Sequence, residues 1–209
     1  TLPLNVTYIS GGVYDAANRV VSFAVNQAAG TSSYPFTVNV NAGSYFPPVS
    51  LINEPVAGAT IPASWTTSAP LGNVWSVANT QSNSAPNSFY VENLPADGDQ
   101  RLETTTAIAL PASSYPKLSF WHRFNTEDGW DGGVVEISNN GGTTWTDLGA
   151  NMITGGYNGG LGVGPNNPIG GRPAFTGLTA GAAFMNTIVN LSAYAGQSVK
   201  IRFRFGSDN

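Results

Sequence analysis

An all-β fold is predicted by three features of this sequence: short runs of alternating apolar and polar residues, glycine or proline in most windows, and no sustained 3.6-residue periodicity. Composition agrees. Only 10% of the residues are charged while Gly, Asn, Ser and Thr are plentiful, so the solvated faces are built from neutral polar groups, as in many secreted β proteins. An apolar share of 41% is ample for a core. The net charge is −4, and eight Lys and Arg residues scattered singly make no phosphate-binding stripe, which argues against a nucleic-acid partner. No apolar run reaches about 18 residues, so no membrane-spanning helix is expected. The absence of cysteine excludes disulfides, thiolate zinc sites and thiol catalysis together. Thr1 is not an initiator methionine and no signal peptide follows it, so the chain reads as a mature product or a piece of a longer polypeptide. Low charge without cysteine suits a bacterial secreted or cell-surface protein.

In chain order, Asn5–Ile9, Val20–Val25 and Phe36–Val40 alternate as strands between Gly- and Asn-rich turns. Gly43–Pro48, GSYFPP, reads as a stiff joint. Beyond Leu51 aromatics become dense. Strands are expected at Val74–Val77, Ser88–Glu92, Arg101–Leu110, Lys117–Phe124, Gly133–Ser138, Thr143–Leu148, Ala183–Leu191 and Ser198–Phe205, a number and spacing that suit a two-sheet jelly roll. Asn151–Pro173, rich in Gly, Asn and Pro, reads as a long irregular loop.

Two resemblances sharpen this outline. NVTYISGGVYDAANRVVSFAV followed by YPFTVNV resembles the second half of the immunoglobulin-like repeat domain of bacterial surface proteins. Residues 1–42 are therefore expected to be a partial Ig-like β-sandwich, residues 43–50 a linker, and residues 51–209 a separate sandwich. NEPVAGATIPASWTTS, LSFWHRFNTEDGWDGGVVEISNNGGTTW and VNLSAYAGQSVKIRFRFGSDN resemble the MAM-like jelly-roll domains appended to secreted bacterial metallopeptidases of the immune-inhibitor-A type. That resemblance implies a concanavalin- or galactose-binding-like sandwich, here without the family's last strand, which would follow Ser207–Asp208.

Glu127, Asp128 and Asp131 crowd one tight loop with Gly129, Gly132 and Gly133. Carboxylates this close repel unless a cation or hydrogen-bond donors offset them, and hard oxygens on a glycine-permitted turn suit calcium. Glu54 opens the jelly roll and Asp208 closes it, and first and last strands of such sandwiches often lie side by side, so both are candidate ligands. The plain alternative is a solvated acidic loop at a sheet end. Sugar rings stack on aromatic faces. Trp130, within the acidic loop, and Tyr157 are the candidate ligand-binding aromatics, while Trp65 and Trp75 suit core packing.

The only histidine, His122, shares a strand face with Leu118 and Phe120, whereas Trp121 and Arg123 point the other way. It lacks the partners of a catalytic site: neither G-x-S-x-G nor H-E-x-x-H is present. Ser138–Trp145, SNNGGTTW, fits an Asp-box with Asn140 in the Asp place, read as a self-contained hairpin clip. Glu92, Glu103 and Glu136 could pair for glycoside hydrolysis only at a defined separation. Catalysis is not expected. The expected role is an extracellular structural or adhesive segment. Its partners would be other copies of itself or neighbouring domains, with strand complementation into a filament as one mode of assembly. The alternative is an accessory carbohydrate- or protein-binding module of a secreted hydrolase.

Overall fold

The computed structural model describes Val13–Asp15, Val20–Ser22 and residues 49–112, 115–164 and 166–209. The chain divides into two compact units, Thr1–Ser50 and Leu51–Asn209. In the first, β1 (Val13–Asp15) pairs antiparallel with β2 (Val20–Ser22). The strands expected at Asn5–Ile9 and Phe36–Val40, and the joint Gly43–Pro48, lie outside the described residues.

The second unit is all-β, its described helical content limited to three short 3-10 turns. It begins with β3 (Trp65–Leu71), β4 (Ser76–Ala78), β5 (Ser88–Tyr90), β6 (Gly98–Thr104) and β7 (Ile108–Ala109). Then come β8 (Lys117–His122), β9 (Gly132–Ser138), β10 (Thr146–Asp147), β11 (Met152–Thr154) and β12 (Gly159–Gly160). β13 (Pro173–Thr176), β14 (Met185–Asn190) and β15 (Ser198–Ser207) complete it. The large sheet runs β12-β13-β9-β15-β6-β3, with β10 against β9 and β7 against β15; the small sheet runs β11-β14-β8, and β4 pairs with β5. All of these pairs are antiparallel.

Side-chain alternation explains why the sheets stack. Along β15, Val199, Ile201 and Phe203 face inward and meet Val135 and Ile137 of β9, Val189 of β14, and Leu118 and Phe120 of β8. A second, smaller cluster of Val134, Leu161, Ile169 and Ala174 lies on the other side of β9, under the 161–172 loop. The alternate residues of the large sheet carry charge instead of apolar bulk. Arg204 and Arg101 share Asp99 (2.8 and 2.5 Å). Arg202 joins Glu103 on β6 to Glu136 on β9 (3.4 and 2.6 Å), and Arg172 joins Glu136 to Asp147 (2.8 and 2.6 Å). Burial would raise the Asp99 carboxyl, but hydrogen bonds from Arg204 and Arg101 outweigh it and hold the group below the ordinary carboxylate range.

Several strand expectations needed adjustment. Arg101–Leu110 breaks into β6 and β7, and Thr105 N bonds Ser64 O at the break. The run Thr143–Leu148 keeps only Thr146–Asp147 as strand, because residues 138–145 spend their groups on the turn. Ser138 Oγ accepts from Gly142 N (2.8 Å), Asn140 Oδ1 accepts from Thr144 N (3.0 Å), and Gly141 and Gly142 take φ of +74° and +97°. Trp145 Nε1 donates to Gly142 O (3.0 Å), and its ring covers the Arg202 guanidinium at 4.2 Å. The hairpin clip is thus tied to the charged face. β3 was not anticipated, since Pro70 reads as a breaker; at the edge of a sheet its missing N–H costs nothing. Nor is Asn151–Pro173 irregular throughout, for it holds β11 and β12.

Candidate functional site

The acidic loop leaves β8 at one end of the sandwich and re-enters at β9. Its shape is set by backbone bonds. Trp130 N and Asp131 N both donate to Glu127 O (3.3 and 3.0 Å), a tight turn that Gly129 completes at φ +76°. Thr176 on β13 clamps the turn, its Oγ1 accepting from Gly129 N (2.9 Å) and donating to Glu127 O (3.2 Å). Gly129 O in turn accepts from Gly162 N (2.7 Å), and Trp130 O from Asn167 Nδ2 (2.6 Å). Neighbouring elements therefore hold the loop at several points.

Asp131 is buried at 3% exposure, and its Oδ1 accepts from Asp208 N (3.0 Å). Burial raises its carboxyl above the usual range. Hydrogen bonds from Asp208 N and the Asn93 side chain pull it back, while the Asp208 and Glu127 charges push it up. Glu127, Asp131 and Asp208 line one pocket of about 270 Å³ together with Asn93, Leu94, Pro95 and Asn209. Its polar lining consists of carboxylate and amide groups, the oxygen donors that a hard cation uses. Among the described residues, however, no three His, Asp or Glu side chains stand close enough as placed to hold a metal ion. Glu127, Asp131 and Asp208 thus share one pocket without forming a metal-binding group as placed.

The remaining candidates fall elsewhere. Asp128 turns away, its Oδ1 lying 2.8 Å from where a Cβ of Gly177 would stand. Glu54 sits at the opposite end of the sheet. Its Oε1 accepts from Val56 N (2.9 Å) and its Oε2 from Ser64 Oγ (3.2 Å). Ser64 precedes Trp65, which pairs with Thr104, whereas Asp208 follows Ser207, which pairs with Gly98. Those six steps along β6 separate Glu54 from Asp208 by roughly 20 Å. Glu54 instead holds the turn at Val56, a β-branched residue at φ 52°.

Of the two aromatics, Trp130 is 44% exposed, but it is not unsupported. Its ring lies across Gly162, where a Cβ would come within 2.5 Å, and the Asp208 carboxylate lies 2.9 Å from a Cβ position on Gly164. The glycines of that loop are what let ring and carboxylate settle side by side. Tyr157 is no surface platform. It is half-buried between the two apolar clusters, its OH accepts from Val135 N (2.9 Å), and burial pushes its hydroxyl far above the ordinary range. Its neighbours Gly156 and Asn158 read as loop, so local pattern does not reveal this burial.

His122 is packed against Phe120, Phe124 and Phe175, with ring centroids 5.1, 5.7 and 4.2 Å away. Its Nε2 bonds Thr187 Oγ1 (2.9 Å), a hydroxyl that donates to Gly155 O (2.6 Å). Thr187 therefore accepts, and the ring proton sits on Nε2. Glu103 and Glu136 lie on strands either side of Arg202, at about twice the inter-strand spacing, near 10 Å, and both are ion-paired to it. Glu92 accepts from Asn73 Nδ2 (3.2 Å).

No family model matches this chain, and no curated protein matches it. Among solved structures it is similar to the K1 cleaved adhesin domain of Lys-gingipain from Porphyromonas gingivalis W83, with 20% identity and a TM-score of 0.44 over 72% of this chain and 94% of that one. The functional reading therefore rests on the site itself.

Proposed function

We propose that the chain is a non-catalytic, extracellular segment of a bacterial surface or secreted protein. Its second unit is a MAM-like jelly roll with a structural or adhesive role, braced by calcium at the Glu127–Asp131–Asp208 end. The observation that carries the calcium reading is the buried Asp131, raised in pKa beside two other carboxylates in one pocket. The non-catalytic reading is supported by Glu103 and Glu136, the acids most suited to glycoside chemistry, both being engaged with Arg202.

Because the folded pKa of Asp131 lies above its unfolded value, its contribution to stability is present in acid and is lost as pH rises through the folded pKa. A divalent cation offsets that loss. At a hundredfold excess of calcium over Kd, linkage adds about 2.7 kcal/mol, or roughly 5–10 °C in melting temperature. The expected result is a calcium-dependent rise at pH 7 that EDTA abolishes and that shrinks toward pH 4. Asp131→Asn keeps an oxygen for Asp208 N, so it should melt no lower than the parent in EDTA yet lose the calcium response. A parent protein indifferent to both calcium and EDTA leaves the loop merely solvated.

Assembly by strand complementation would use one of the longer edge strands, β8 or β3, which among the described residues pair with β14 alone and β6 alone, respectively. Sedimentation velocity across a wide concentration range tests it: association should grow with concentration, and a strictly monomeric chain removes the filament from the proposal.

A further inference from the structure

The outward face of the small sheet differs from that of the large one. On β8, Lys117, Ser119 and Trp121 point away from the core, and the inward row His122–Phe124 continues that alternation so that Arg123 points outward with them. Trp121 is 54% exposed, and it lies opposite Asn186 on β14; Ser119 lies opposite Ile188 and Lys117 opposite Asn190. Asn186 Nδ2 donates to Ser119 Oγ (3.0 Å) and to Phe120 O (3.3 Å), so one amide and one hydroxyl lie on the same face as the indole.

The charges on this face have no carboxylate partner among the described residues. Arg101, Arg172, Arg202 and Arg204 all pair with carboxylates. Arg123 is the exception among the described arginines. Its guanidinium donates to Ala182 O (2.6 Å) and to Gln81 Oε1, both neutral. Lys117 likewise has no carboxylate within salt-bridge reach among the described residues. Two cations without a carboxylate partner among the described residues thus flank an exposed indole, about 20 Å apart along the line of β8, in a chain whose net charge is −4. Such an arrangement attracts an anion that also has a face to stack, and neutral hydroxyls and amides are the partners of sugar hydroxyls.

We infer that the outer face of the small sheet binds an anionic saccharide, a uronic- or sialic-acid glycan, which stacks on Trp121 and places its carboxylate on Arg123. Lys117 meets a second acidic residue of a longer chain, and Asn186 and Ser119 take sugar hydroxyls. This rests on the adhesive reading above and names its ligand class, at a face distant in role from the calcium pocket.

The test is calorimetric titration of the whole chain with tetragalacturonic acid and with 3′-sialyllactose, each beside its carboxyl methyl ester. At least one acid is expected to bind, with its ester weaker by about tenfold or more, since a charge-assisted hydrogen bond is lost. Trp121→Ala and Arg123→Gln should each weaken the acid by a similar factor, Arg123→Lys should retain most of the binding, and Trp130→Ala should change nothing. Raised salt should weaken the acid but not the ester. The inference is overturned if neither acid binds, if acid and ester bind equally, or if poly-glutamate binds at these residues in preference to either glycan, which would make the face an acidic-peptide site. Because the calcium response is read separately by melting, a failure here leaves the calcium-braced scaffold standing, and the reverse also holds.

Discussion

Glu136→Gln is expected to destabilise the protein by about 3–5 kcal/mol, the usual result of breaking a buried ion pair on one side. Glu136 is 3% exposed and accepts from Arg172 Nη1 (2.8 Å) and Arg202 Nε (2.6 Å). Arg202 is itself 6% exposed, stacked under Trp145, and retains only the longer 3.4 Å contact to Glu103 once Glu136 is neutral. A neutral amide leaves that guanidinium buried with most of its compensation gone. Arg172 loses less because Asp147 still holds it. Removing both charges should reverse much of the damage. Glu136→Gln with Arg202→Met removes the buried guanidinium as well and leaves only Glu103, the more exposed of the two acids, without its 3.4 Å contact, so the double variant is expected to regain about half of the loss or more. Urea denaturation of the four proteins at pH 7 gives the cycle. A single-variant loss below about 1 kcal/mol would show that the ladder is solvated enough to be dispensable.

Acid should unfold the protein partly through one imidazole. Burial among three phenylalanine rings lowers the His122 pKa from 6.5 to about 4, and no acidic partner faces the ring from β8, β13 or β14. A depressed folded pKa means the unfolded state binds the proton first. Above pH 6.5 neither state is charged and there is no penalty. Between pH 6.5 and 4 stability falls, reaching a loss of about 3 kcal/mol once both states are protonated. Asp131 acts with the opposite sign, so the contribution of His122 is read as a difference between two proteins. His122→Phe keeps an aromatic in the cluster, while Thr187 Oγ1 keeps its bond to Gly155 O. The variant should therefore show a flatter stability curve from pH 6.5 to 4 in urea titrations. Equal slopes for parent and variant would place the acid sensitivity elsewhere.

How far the sequence reached differs from element to element. Lys117–His122, Gly132–Ser138, Met185–Asn190 and Ser198–Ser207 lie where alternation put them, because a strand with one buried face writes its pattern into every second residue. β3 and β12 were hidden because Pro70 and the Gly159–Gly160 pair carry no such pattern. For the candidate site, proximity in sequence proved a poor guide. Glu127 and Asp131 do share a pocket, but Asp128 between them turns to Gly177, and Asp208 joins from 77 residues away through its backbone N–H.

What the sequence determined alone is local: the all-β class, the two faces of each core strand, the outward position of Trp121 and Arg123, and the Ser138–Trp145 clip. Each follows from spacings of two to four residues that need no partner. The tertiary structure decided which strands lie side by side and in what register. That placed Glu54 and Asp208 at opposite ends of β6, gave Arg202 two carboxylates and Arg123 none among the described residues, and laid Trp130 on the bare backbone of Gly162. Sheet order and register arise from how the whole apolar face is buried, so no short stretch of residues records them.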